Sequence, residues 1–122
     1  LKYLCLVYYD EKKMQQLSQQ EWDSLNQECI ACVDGLTEAG HFLDGAPLLS
    51  TETATTLRVR DNKPLVTDGP FAETKEQLAG FYMLEARDMN EAMRLAEKIP
   101  PARYGCVEIR PVRELMPEGN SR

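Results

Sequence analysis

Apolar and polar positions alternate or repeat along this chain in a way that divides it into short, typed segments. Residues 2–9 (Lys-Tyr-Leu-Cys-Leu-Val-Tyr-Tyr) are apolar on both alternating faces, which predicts an interior strand covered on both sides. Asp10-Glu11-Lys12-Lys13 breaks that strand, and Met14 and Leu17 support a short helical turn. Ser18-Gln19-Gln20-Glu21 fits a capping box, so a helix is predicted from Gln19 to Ala39 with Gly40 as its stop. Its apolar positions Trp22, Leu25, Cys29, Cys32, Val33 and Leu36 fall on one face at ~100° per residue. His41 to Gly45 reads as a short extended segment, and Ala46 to Thr53 as a loop.

Thr55 to Arg60 alternates cleanly, with Leu57 and Val59 on one face and Thr56, Arg58 and Arg60 on the other. Asp61-Asn62 predicts a hairpin turn, and Pro64 to Thr67 its return arm at an edge. Leu78 to Glu85 is a buried strand. Asp88-Met89-Asn90-Glu91 opens a second helix to about Lys98, stopped by Pro100-Pro101. Tyr104 to Val112 is the last strand, with Val107 and Ile109 facing one way and Cys106, Glu108 and Arg110 the other. With the return arm set aside, this order predicts an α+β fold, the ferredoxin-like βαββαβ arrangement with an extra hairpin arm. Two helices cover one face of a four-stranded sheet. The apolar second face of the first strand calls for another cover, and a second copy of the chain supplies it.

At 122 residues the chain suits one domain, residues 1–115, followed by a flexible tail over 116–122. A net charge of -6 argues against nucleic acid and against an anionic membrane surface. No apolar run approaches the ~20 residues of a membrane span. Cys29-Ile-Ala-Cys32 is a lone CxxC within the apolar stripe of a helix, so packing thiols are expected rather than a metal or redox pair. With no secretory signal, all four cysteines read as free thiols in the cytoplasm, with no metal and no cofactor.

The chemistry-bearing stretch is Thr67 to Tyr82. Asp68-Gly69-Pro70 is strong turn chemistry, and the charged run Glu73-Thr74-Lys75-Glu76 lies between two strands. Asp68 is the candidate catalytic or ligand-orienting carboxylate; the plainer alternative is that it caps the turn through the N–H groups of Phe71 or Ala72. Arg58, Arg60, Arg110 and Tyr82, with Lys75 of the loop, are the candidate ligand-binding set. A shared open sheet face would let the arginines hold an anion. The alternative is that these charges pair with one another and rim a dimer.

Thr67-Asp68-Gly69-Pro70-Phe71-Ala72-Glu73-Thr74-Lys75-Glu76, with Gly80-Phe81-Tyr82, resembles the signature of the DGPF group of YCII-related proteins. Tyr3-Leu4 through Tyr8, Thr55 to Arg60 and Val107 to Pro111 extend that resemblance over roughly residues 1–112. It implies a dimeric α+β barrel of two sheets packed face to face. Some relatives are dehydrochlorinases, and DGPF proteins are often encoded near alternative sigma factors. The family's proposed acid–base pair is an aspartate, matched here by Asp10, and a histidine in the first helix. Gln19 to Ala39 contains no histidine, and His41 follows it. Acid–base work would then fall to Asp68, with Asp10 or Glu73 as partner. Two functions follow as expectations: a small lyase, isomerase or dehydrohalogenase acting on an anionic or phenolic compound, or a non-catalytic ligand-binding or sensing module linked to sigma-factor regulation.

Overall fold

The computed structural model describes residues 1–116; the rest of the expected tail, 117–122, lies outside the described residues. Strand β1 (Lys2–Tyr9) leads into a single turn of helix, α1 (Glu11–Met14), and then into the long helix α2 (Gln19–Glu38). Strands β2 (Phe42–Pro47), β3 (Thr55–Arg60), β4 (Lys63–Asp68) and β5 (Gln77–Glu85) follow. Helix α3 (Met89–Ala96), a 3₁₀ turn over Pro100–Tyr104 and strand β6 (Gly105–Pro111) complete the order. The α+β class holds.

Local chemistry accounts for the ends of α2. The Ser18 hydroxyl accepts from the Glu21 N–H at 3.1 Å, and the Glu21 carboxylate accepts from the Ser18 N–H at 2.9 Å, a complete capping box. At the other end Gly40 has φ +81°, and the His41 N–H reaches back to the Leu36 carbonyl at 2.8 Å. That is a Schellman closure, which only a residue tolerant of positive φ completes without strain.

Four strands form an antiparallel sheet in the order β2-β5-β1-β6. Tyr3, Cys5 and Val7 of β1 lie beside Leu84, Tyr82 and Gly80 of β5, and beside Pro111, Ile109 and Val107 of β6. On that face they join Leu36 of α2, Ala92, Leu95 and Ala96 of α3, and Ile99 in the core. Leu4, Leu6 and Tyr8 point to the opposite face beside Met83, Phe81 and Leu78. All six are half-buried although α2 and α3 pack on the other side.

The hairpin departs from expectation. β3 and β4 pair only with each other, through a two-residue Asp61-Asn62 turn in which both residues have positive φ. They form a separate two-stranded sheet whose Leu57, Val59, Leu65 and Val66 are exposed.

Cys5 is fully buried at the sheet centre, and burial pushes its thiol from 9.0 up to about 11. Ionisation therefore favours the unfolded chain. Stability from this source is whole below pH 9, declines as pH rises from about 9 to 11, and amounts to about 2–3 kcal/mol. Urea midpoints measured against pH are expected to fall more steeply for the native sequence than for Cys5→Ala; equal slopes would refute the assignment.

Candidate functional site

One residue organises the excursion between β2 and β5. The Glu11 carboxylate accepts from the Thr51 N–H at 3.0 Å and from the Thr51 hydroxyl at 2.6 Å, at the head of a 3₁₀ turn over Thr51–Thr53. The Glu11 N–H donates to Gln77 Oε1 at 2.8 Å, and the Gln77 amide donates to the Thr74 carbonyl. Both ends of the segment that carries the hairpin and the Asp-Gly-Pro loop are thus held against the end of β1. Nothing in sequence spacing singles out Glu11, because its partners lie 40 and 66 residues away. Glu11→Ala is expected to cost about 1–3 kcal/mol, since charge-assisted bonds are lost and the Thr51 donors are left unmatched. The 51–77 excursion should also become a site of limited proteolysis; an unchanged cleavage pattern would show that the clip does not hold it.

The sequence-predicted site residues do not gather on one face. Asp10 caps α1, accepting from the N–H groups of Lys12 at 3.0 Å and Lys13 at 3.4 Å. Asp68 ends β4 opposite Thr55, exposed, and its carboxylate accepts no hydrogen bond among the described residues, so the expected turn cap does not form. The loop is instead tied at Gly69, whose N–H donates to the Ala54 carbonyl at 2.7 Å and whose carbonyl accepts from the Thr56 hydroxyl at 2.8 Å. Glu73 and Lys75 are exposed in the loop. Arg58 and Arg60 belong to the separate hairpin, and Arg60 donates only to the Val59 carbonyl. Arg110 is exposed on the open face of the main sheet, beside Leu4. No ion pair among the described residues involves these three arginines. Tyr82 faces the helices, not the open side, and its ring meets Phe42 edge-on at 6.1 Å. The alternation of β3, β5 and β6 therefore does not bring these residues onto one sheet face of the chain.

What the fold does form is a cavity of about 430 Å³ beneath α2. Trp22, Leu25, Cys29 and Val33 of α2 roof it, and Tyr9, Phe42 and Tyr82 wall it. Its floor is Gly45, Ala46, Ala79 and Gly80, and at the two glycines the neighbouring backbone leaves no room for a side chain. The β5 register slips at Ala79, and the β2 register slips at Leu43. Beside these bulges the two paired backbones crowd the glycines: a Cβ on Gly45 would stand 2.8 Å from the Phe81 carbonyl oxygen, and one on Gly80 2.9 Å from that of Ala46. Large side chains are excluded there, so the half-buried apolar stripe of α2 has little to pack against. Cys29, in the cavity roof, is accordingly half-buried, whereas Cys32 is half-buried against the core cluster.

The two phenols and the thiol that line the cavity are held neutral. Burial raises the Tyr82 phenol well above its ordinary range, with the neighbouring Cys29 and Cys32 adding to the effect. Burial likewise raises Tyr9, with Glu11 and then Cys29 contributing. Cys29 is raised by burial and by Glu28, against the pull of Arg103 and the Tyr82 hydroxyl that faces it. None of these three groups exchanges protons near pH 7, so they offer hydrogen bonding and apolar contact rather than acid–base chemistry. A second hollow, of about 530 Å³, lies on the other flank of α2 and is lined by Glu28, Cys32, His41, Leu95 and Lys98. His41 is occupied there, its Nδ1 lying 2.8 Å from the Glu85 carbonyl oxygen. Among the described residues no group of three or more His, Cys, Asp and Glu is placed to hold a metal ion, and no helix is long and apolar enough to cross a membrane.

The family profile for the YCII-related domain matches residues 1–116. An uncharacterised protein of Rhizobium meliloti (strain 1021) is similar to this chain, at 37% identity over 112 residues covering 90% of each sequence.

Proposed function

The chain belongs to the YCII-related family, and from that footing we propose that it is a homodimeric small-molecule-binding protein whose ligand enters the cavity beneath α2. The observation that carries this reading is the cavity itself: its volume suits a small ligand, its lining is mainly apolar and aromatic, and a few polar groups converge on it. The strand order β2-β5-β1-β6, with α2 and α3 on one face, supports a ferredoxin-like topology. Homodimer formation is supported by the other face, where Leu4, Leu6, Phe81 and Met83 have no helix over them. Four free cysteines suit a reducing cytoplasm.

Two measurements test the proposal. Light scattering over a dilution series is expected to give the mass of a dimer at micromolar concentration; a folded monomer there would remove the barrel reading. Native mass spectrometry of freshly purified protein is expected to show a retained small molecule that is lost on unfolding. Protein that carries nothing and takes up nothing from a panel of small apolar compounds would remove the binding reading.

An acid–base enzyme working through Asp68, Asp10 and Glu73 is the second reading. It is favoured by the Gln77 tie, which draws the Thr74–Gln77 end of the loop to Asp10 and Glu11. Asp68→Asn separates the two. A catalytic Asp68 loses ~100-fold or more of any turnover, whereas a binding protein keeps its ligand unchanged.

A further inference from the structure

The charge around the α2 cavity, together with its aromatic walls, indicates what enters it. Its lining contains one ionisable carboxylate, Asp34, and no lysine or arginine. Arg103, close enough to bias the Cys29 thiol, is already matched: its guanidinium holds the Glu28 carboxylate through two bonds of 3.0 and 2.7 Å. Lys98, which acts on Cys32, lines the other hollow. α2 itself carries Glu21, Asp23, Glu28, Asp34 and Glu38 and no basic residue, so the field over the cavity roof is negative. Inside, Trp22, Phe42 and Tyr82 offer ring faces and edges, while Tyr9, Tyr82 and Cys29 supply neutral hydrogen-bonding groups. An anion placed here would lose its hydration, meet no cation and face Asp34.

We propose that the α2 cavity selects an uncharged, ring-bearing molecule and rejects its anionic counterpart of the same size. This inference rests on the cavity being the ligand site, and it excludes from that site the small anionic ligand expected from Arg58, Arg60 and Arg110. Those arginines lie outside the lining.

The chain carries its own reporter. Trp22 is its only tryptophan and lies in the cavity roof, so intrinsic fluorescence reads occupancy directly. Benzyl alcohol and benzoate are matched in size and differ in charge, and neither absorbs at the red edge of tryptophan excitation. Benzyl alcohol is expected to change Trp22 emission saturably at about millimolar concentration, as suits so small a probe. Benzoate should bind about tenfold more weakly or worse, the minimum expected for an unpaired buried carboxylate. Asp34→Lys, an exposed substitution on α2, should narrow that gap by several-fold. Benzoate binding as well as or better than benzyl alcohol to the native protein would overturn the charge selection while leaving the cavity as a ligand site. Failure of both probes to bind, by fluorescence and by calorimetry, would overturn the cavity reading and the inference with it.

Discussion

Gly105→Ala is expected to lower stability by roughly 3 kcal/mol or more and the melting temperature by about 10 °C or more. Gly105 begins β6 opposite Tyr9, at the point where the 3₁₀ turn swings the chain back against the central strand. A Cβ there would lie 1.9 Å from the Tyr8 carbonyl oxygen and 2.8 Å from Tyr9 Cα, both of them backbone atoms. No rotamer relieves a contact with backbone, so either β6 lifts from β1 or the turn is remade. Because β1 pairs with both β5 and β6, disturbance on one side strains the sheet centre, where Cys5 and Leu84 are fully buried. The same exchange at Gly35 is the control. Gly35 lies inside α2 and an added Cβ meets nothing within 4 Å, so Gly35→Ala should stabilise by up to about 1 kcal/mol. Urea denaturation of both variants reads the contrast, and similar effects at the two positions would refute the steric account.

Most of the fold was legible because its signals are local. The Ser18–Glu21 box, Gly40 after α2, the Asp61-Asn62 turn and the two-sided β1 each depend on residues within a few positions of one another. Pairing was harder to read. The clean alternation of β3 did not reveal that the hairpin pairs only with itself, because alternation records two faces but not which strand lies alongside. Tyr82 was placed on the wrong face for a related reason. The slip at Ala79 changes the phase of β5, so Leu78 and Tyr82 face opposite sides although four residues apart. The cavity was illegible for the same cause: its emptiness comes from the approach of two bulged strands, and a sequence shows Gly45 and Gly80 without showing what crowds them.

Filling that emptiness is the decisive perturbation. Cys29 and Val33 sit one helical turn apart on the roof of the cavity. The double variant Cys29→Phe/Val33→Phe places two rings where the floor of glycine and alanine leaves space. Neither position is in the tightly packed core, and both side chains are half-buried at present. Overpacking strain should therefore be small, and filling apolar void should leave stability unchanged or raised by about 1 kcal/mol. Ligand affinity is expected to fall about 100-fold or more, because the rings occupy the volume a ligand needs. The retained molecule should vanish from native mass spectra, and Trp22 should cease to respond to benzyl alcohol. Stability and binding are predicted to move independently, which separates this outcome from general unfolding. A variant that melts as the native protein does, yet binds as tightly, would place the ligand elsewhere, with the open sheet face and the Asp68 loop next in line.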